Sequence, residues 1–385
     1  MISDQEILIT HYSLLVTSSH FFQPLDNYSF FLYYVTGFSN RLHLRYYIMN
    51  KVKNSSTIRD VARLAGVSVA TISRYLNNSA PLSPETAERV QAAMKELDFS
   101  PHPAARSLAT KRTNTISLVL DKIEGDYFTP LLEGVLATAE AQNYNLLIFS
   151  ANQSKHLDAH LLGPTYTDGL LVFLDALNDD DLIALHEAEQ PIVLIHRTSP
   201  AGLDLPMVTI ENKAAAKGVV SHLIEIHHRK KIAFLRGPAD NEDAHWREIG
   251  FRQALAEHGM SVDESLIAPG EYDRYVSQRS IHALLESGKK FDAVFTGDDD
   301  SAIGALAALK EAGIDVPGQV SVAGFDDQRL APFLNPPLTT VHAPTDQVGI
   351  TAARQLLKLI RHEPVENEIL LPTELILRRS CGCNP

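Results

Sequence analysis

Along Val69–Asn77 the side chains of Ala70, Thr71, Ser73, Arg74 and Asn77 fall outward on one side of a short helix. These are small or short polar groups with a single arginine. They offer hydrogen bonds to a DNA groove and little bulk to hold the helix away from it. The same pattern also suits the solvated face of a small helical bundle, and spacing alone leaves that open. Other chemistry-bearing groups form weaker patterns. Asp298-Asp299-Asp300 suggests a divalent cation, but adjacent side chains at a strand end diverge and no further Asp, Glu or His at ligand spacing joins them, so no metal is expected. Cys381-Gly382-Cys383 is a lone pair near the C-terminus and a weak zinc signal, and His227-His228 precedes a basic turn and reads as solvated. No GxxxxGK[ST], GxSxG or HExxH is present, nor a GxGxxG after a strand, so neither an enzyme nor a cofactor is expected.

The elements that would position the Arg74 face are legible. Thr57 can cap a helix starting at Ile58, with Asp60 in its first turn favoured by the helix dipole. Ile58, Val61, Ala62 and Ala65 share one face of that helix. Gly66 ends it, Ser68 caps a second helix over Val69–Leu76, and its inward side is Ile72 with Leu76 or Tyr75. Turn chemistry at Asn77–Pro81 leads to Ser83-Pro84-Glu85-Thr86, the start of a third helix through Val90, Ala93, Met94 and Leu97. Two short helices around one glycine, closed by a third, make a helix-turn-helix.

The chain has 385 residues, enough for two or three domains, and a net charge of −13, which taken as an average argues against a nucleic-acid partner. The charge is unevenly spread. Residues 1–50 carry two Lys/Arg and three Asp/Glu, residues 51–112 carry ten and five for a net +5, and residues 113–385 carry 22 and 39 for a net −17. A compact basic block ahead of an acidic body suggests a nucleic-acid-binding head. Two cysteines exclude a disulfide framework and fit a reducing compartment, so a cytoplasmic location is expected. Residues 1–48 hold 11 of the 28 aromatics. Their apolar run 29–38 is too short to span a bilayer, and Asp4 and Glu6 do not suit a secretory leader. This stretch reads as an atypical extension outside the fold, and Met49-Asn50-Lys51 would make a natural beginning.

After Thr113 short apolar strands alternate with helices. The strands are 116–120, 146–149, 169–173, 192–195, 231–235, 293–296 and 320–324, with a helix over Phe128–Gln142. This pattern means parallel sheets covered on both faces, and there are too many strands for one small domain. Two doubly wound lobes are expected, with ligand bound beyond the carboxyl ends of their strands.

The stretch Thr57–Asn77, without a gap, resembles the DNA-binding head of the lac repressor (LacI-type) family, and the similarity continues through Lys95–Pro101 into Ala104–Ala109. It extends over the body at Lys231–Pro238, Arg247–Phe251, Thr296–Asp300, Ser321–Asp327 and Pro336–Val341. The resemblance implies an all-α helix-turn-helix domain at 55–101, a hinge helix and linker at 102–112, and a periplasmic-binding-protein-like effector and dimerisation domain at 113–385. That domain's two lobes would be crossed near Ile210, Val316 and His342. Carried over by position, Val69, Ala70 and Arg74 would read base edges. Ser68, Thr71, Ser73 and Asn77 would hold phosphates and set register, Thr57 would also belong to the DNA-binding set, and Leu108, flanked by the small Ala105, would wedge into the minor groove. Arg247 would grip an effector, Asp299 accept its protons and Tyr272 stack on it, with Tyr127 and His196 at strand ends lining the cleft. The family often has Asp where His196 stands.

The implied function is a transcription regulator of the repressor type. A homodimer would bind a pseudo-palindromic double-stranded DNA operator, with its affinity set by a small effector, most naturally a sugar, and with no membrane involved. The absence of heptads after Glu374 implies dimers rather than tetramers. The alternative is a solute-binding sensor whose head lacks specific DNA binding.

Overall fold

The computed structural model describes residues 32–36, 43–47, 56–77, 80–99, 112–121, 126–150 and 159–384. The hinge positions Ala105 and Leu108 lie outside this set. The chain divides into two units, 1–102 and 103–385. Within the span read as an extension, β1 (Leu32–Thr36) and β2 (His43–Tyr47) pair antiparallel.

The head is a helix-turn-helix of α1 (Ile58–Ala65), α2 (Val69–Asn77) and α3 (Pro84–Glu96). Thr57 and Asp60 cap α1 reciprocally, because the Asp60 amide donates to Thr57 Oγ1 and the Thr57 amide donates to Asp60 Oδ2. The Asp60 carboxyl is held below its usual range by its hydrogen bonds with Thr57. Gly66 stops the helix at φ 65°, a left-handed conformation that costs glycine little. Ser68 Oγ accepts from the Thr71 amide and Ser83 Oγ from the Thr86 amide, so each helix start has a side-chain cap. Val61, Ala62, Ala65, Ile72, Val90 and Ala93 form the core, with Tyr75 and Leu76 packed against it. Thr57→Ala removes one of these caps and should cost the head about 1 kcal/mol. A lower melting temperature for the head, with unchanged unfolding of residues 103–385, is the expected calorimetric result.

The second unit contains two parallel sheets. The first has six strands in the order β13-β7-β6-β5-β3-β4: β3 (Thr115–Leu120), β4 (Asn145–Ser150), β5 (Gly169–Phe173), β6 (Ile192–Ile195), β7 (Met207–Ile210) and β13 (Glu368–Leu371). The second runs β11-β10-β8-β9: β8 (Ile232–Arg236), β9 (Ile267–Pro269), β10 (Ala293–Thr296) and β11 (Ser321–Ala323). Every pairing within these two sheets is parallel. Both faces are covered, and the pleat divides the side chains between them. In β8, Ile232 and Phe234 enter the core shared by both lobes, while Ala233 and Leu235 enter a cluster on the opposite face. The edge strands of the six-stranded sheet are the exceptions: Leu147 and Ile148 of β4 are 40% and 44% exposed, and Leu370 of β13 is 45% exposed.

Helices α4 (Phe128–Ala141) and α5 (Asp179–Glu187) follow strands of the first sheet. Helices α6 (Asn212–Glu225), α7 (Glu242–Glu257), α8 (Arg274–Glu286) and α9 (Asp299–Glu311) belong to the second lobe. Helix α10 (Thr345–Ile360) returns to pack on α4 and on β5, β6 and β7. The chain thus passes between the sheets after β7, then between β12 (Thr340–His342) and α10, and finally between β13 and β14 (Glu374–Ile376), which pairs with β12. The expected crossing near Val316 does not occur there. Val316 lies in the turn from α9 to β11, both in the second lobe, and packs against that lobe's outer cluster with Val320 and Val322. The third passage is at 372–373, where no apolar run announces it. Among the described residues, no helix is long and apolar enough to cross a membrane.

Candidate functional site

Two surfaces carry the chemistry, one in each unit. On the head, Ile72 is buried, so α2 turns its opposite side outward. Ser68, Val69, Ala70 and Arg74 are exposed there, and Thr71 and Ser73 are half-buried beside them. Thr57 is also exposed, at the start of α1. Val69, at 41% exposure, is an apolar side chain with nothing beneath it in the head's own core. The Asn77 side chain is not among those described.

In the second unit, the effector-site candidates stand beyond the carboxyl ends of parallel strands, where both sheets of an α/β protein open. Tyr127 precedes α4, His196 follows β6, Tyr272 follows β9 and Asp299 follows β10, while Arg247 lies on the first turns of α7 after β8. Tyr127 and His196 come from the six-stranded lobe and the other three from the four-stranded lobe.

A polar network joins Tyr127, His196 and Arg247, while Tyr272 stands beside the Arg247 guanidinium and Asp299 has partners of its own. Tyr127 Oη lies 2.8 Å from His196 Nε2, and His196 Nδ1 lies 3.1 Å from both Thr209 Oγ1 and Asp243 Oδ2. A carboxylate can only accept, so in the neutral ring Nδ1 carries the proton and Nε2 accepts the Tyr127 hydroxyl. Asp243 also accepts from Asn212 Nδ2 at 2.7 Å. Asn212 in turn accepts from Arg247 Nε at 2.8 Å. Arg247 Nη1 donates to the Gly297 carbonyl at 2.6 Å, and Nη2 pairs with Asp326 at 3.1 Å. Its guanidinium carbon lies 3.8 Å from the Phe325 ring centroid and 5.7 Å from that of Tyr272. The Tyr272 ring rests where a Cβ on Gly237 would stand, and its hydroxyl is buried without a hydrogen-bond partner among the described residues. Asp299 accepts from Thr340 Oγ1 at 2.6 Å and from the Gln328 amide at 2.8 Å. The neighbours of Asp299 diverge: Asp298 caps α9 through the Ser301 amide, and Asp300 pairs with Arg274.

Burial sets the charges. His196, Arg247 and Asp299 are each 2% exposed or less. Burial opposes ionisation of Asp243, yet its close contacts with His196 and Arg247 hold its carboxyl below the usual range. Burial and the negative charge of Asp326 push Asp299 well above that range, and the same two causes raise Asp298 to about 7. Asp326 is raised by burial despite Arg247. His196, Tyr272 and Asp326 have positive φ angles of 58°, 53° and 100°, and unfavourable backbone of this kind gathers at ligand sites.

The raised carboxyls make stability depend on pH. In the folded chain Asp298 keeps its proton up to about pH 7, whereas an unfolded aspartate loses it near 3.8. Between those values folding takes up a proton. The associated stabilisation is full below about pH 4 and disappears as pH rises through 7. Asp299 and Asp326 act in the same direction, whereas Asp243 loses its stabilisation only below the usual carboxylate range. The melting temperature of the second unit should therefore fall between pH 5 and pH 8. Asp298→Asn keeps the cap acceptor without the charge and should remove about 3 kcal/mol from the stability change across that range. A scanning calorimetry series over that pH range checks it.

Asn212, Asp243, Phe325 and Asp326 escape sequence reasoning, although they complete the arginine's surroundings. Asp243 stands four residues before Arg247, the spacing of a helical ion pair, and this was the available signal. The structure also brings together four residues that the sequence leaves apart. His222, His227, Cys381 and Cys383 present ligand atoms all within 4.8 Å of one another. Of the adjacent histidines read as solvated, His228 is exposed, but His227 is half-buried and turned toward the cysteines.

A helix-turn-helix head on a two-lobed α/β ligand-binding body defines a class of ligand-responsive DNA-binding proteins. Residues 57–102 match the family described as bacterial regulatory proteins, lacI family, and residues 220–381 match a periplasmic binding protein-like domain. Catabolite control protein A of Priestia megaterium is 31% identical over 329 residues, 84% of this chain and 98% of that protein. Among solved structures, a lac repressor dimer bound to operator and the anti-inducer ONPF is 25% identical with a TM-score of 0.75, covering 85% of this chain and 99% of that one. The transcriptional regulator CelR in complex with cellobiose is 30% identical with a TM-score of 0.63, covering 84% and 99%. This chain belongs to the lacI family of bacterial regulatory proteins, and it is a DNA-binding transcription regulator.

Proposed function

We propose that this regulator is a cytoplasmic homodimeric repressor that reads a pseudo-palindromic operator and is governed by a sugar. The observation that carries the DNA-binding part is the outward face of α2, where Arg74 stands exposed among short polar and small groups within the family-matched head. Val69, Ala70 and Arg74 address base edges, and Thr57, Ser68, Thr71, Ser73 and Asn77 address the backbone. Ala105 and Leu108 belong to the hinge that closes on the minor groove. Dimerisation is supported by exposed apolar side chains at one edge of the six-stranded sheet, Leu147 and Ile148 of β4 with Leu136 of α4.

The effector reading rests on the network around Arg247. A planar guanidinium, the buried carboxyls of Asp243 and Asp326 beside it, and the rings of Tyr127, Tyr272 and Phe325 suit a ligand dense in hydroxyls. Protonated carboxyls donate to such a ligand and ionised ones accept from it. CelR, a structural neighbour, is a regulator with cellobiose bound. No catalytic step is assigned to these groups. Effector binding changes operator affinity as a coupling free energy between two sites.

Selection of binding sequences from a random duplex pool tests the DNA-binding part. The expected product is a motif with two inverted half-sites. A pool without enrichment after several rounds would support a solute sensor without specific DNA binding. A thermal-shift screen of sugars and nucleobases tests the effector part, with a sugar expected among the stabilising compounds.

A further inference from the structure

The Cys-Gly-Cys turn near the C-terminus comes to rest against the end of α6. His222 lies in the last turn of that helix, and His227 lies in the loop leading to β8. Cys381 ends a 3₁₀ turn packed on β11, and Ser321 Oγ donates to its carbonyl at 2.6 Å. Gly382 continues at φ 114°, and the His227 ring occupies the space where a Cβ would be. The four side chains therefore converge from segments about 160 residues apart.

Their separations are informative. His222 Nε2 and His227 Nε2 lie 3.2 Å apart. Cys383 Sγ lies 3.4 Å from each of those nitrogens, and Cys381 Sγ lies 3.8 Å from His222 Nε2. A tetrahedral ion with metal–nitrogen bonds near 2.05 Å and metal–sulfur bonds near 2.3 Å requires ligand separations of about 3.3 Å between nitrogens and about 3.6 Å between nitrogen and sulfur. The nitrogens are close to that ideal separation, and the nitrogen–sulfur distances fall on either side of theirs. The histidines are five positions apart, within the usual spacing for zinc ligands, while the cysteines are one residue closer than is common. The Thr339 hydroxyl lies 3.1 Å from Cys381 Sγ, where it can support a thiolate. The nearby Arg229 is engaged elsewhere, with Ser321 Oγ and the Pro317 carbonyl.

We propose that His222, His227, Cys381 and Cys383 form a structural site for one zinc ion, which fastens the C-terminal turn to α6 and the four-stranded lobe. All four ligands come from protein, so the site is closed and holds its ion without an open position for substrate. It is independent of the effector reading, because none of its ligands belongs to the Arg247 network.

The test uses the full chain, reduced, stripped with a chelator and titrated with zinc alone. The expected result is one zinc per chain, a higher melting temperature on loading, and protection of Cys383 from a thiol-alkylating reagent. Cobalt in place of zinc should give the absorption of a tetrahedral thiolate-ligated ion. Cys383→Ser and His227→Ala should each weaken zinc binding about 100-fold or more, while their metal-free melting temperatures stay at the metal-free wild-type value. The alkylation result needs no variant, so it stands even where a substitution impairs folding. Reduced wild-type chain that takes up no zinc, or zinc affinity unchanged in both variants, would overturn the proposal.

Discussion

Arg74→Ala removes operator selection and leaves a residual, salt-dependent affinity for any duplex. The side chain is exposed, and the core beneath it is made by Ile72, Val61 and Val90, so the head stays folded without it. An arginine paired with guanine is worth about 1–3 kcal/mol of discrimination, and the proposed dimer would present two copies, so the loss on the specific site should be about 2–6 kcal/mol. Backbone contacts are untouched, and the slope of affinity against salt should change little. Fluorescence anisotropy on the selected operator and on a scrambled duplex, at several salt concentrations, measures both quantities. Retained discrimination would remove Arg74 from the base-reading set.

The second large effect is expected at Arg247. Its guanidinium holds three partners in three directions: Asn212, the Gly297 carbonyl and Asp326. A lysine ammonium cannot reproduce that fork, so Arg247→Lys leaves buried acceptors unsatisfied at about 1–3 kcal/mol each. Arg247→Met goes further, because it leaves the buried Asp326 carboxyl without its cation, at about 3–5 kcal/mol. The expected phenotype is a protein that still holds its operator but no longer releases it when effector is added. The measurement compares the effector concentration at half release with wild type, alongside thermal unfolding. A lysine variant with an unchanged midpoint would place the effector away from this arginine.

Much of the fold could be read from side-chain chemistry before any coordinates. Helices α1 to α3 announce themselves through Thr57, Ser68 and Ser83 at their starts and Gly66 between the first two. The inner strands of both sheets are apolar runs because both faces are buried, as the alternation of Ile232 and Phe234 against Ala233 and Leu235 explains. The third passage, after β13 rather than near Val316, is hard to read from sequence because Glu368-Ile369-Leu370-Leu371 is half-solvated and lacks the uniform apolar run of the inner strands. Within the effector network, Arg247 and Asp299 were visible as positions in motifs. Asn212 and Asp243 were not, since polar residues in the first turn of a helix look like ordinary capping groups. The Cys/His cluster was invisible for a simpler reason: its members converge only when the C-terminal turn folds back onto α6.

Occupancy of the Arg247 network is proposed to govern how tightly the head holds its operator. The most direct measurement is the dissociation constant for the selected operator, by anisotropy at fixed salt, with and without a saturating concentration of the sugar that most raises the melting temperature. A drop in operator affinity of roughly 5–150-fold, the range of ordinary allosteric coupling, together with its loss in Arg247→Lys, is the predicted result. Equal operator affinity in the presence and absence of a sugar that demonstrably binds would contradict it.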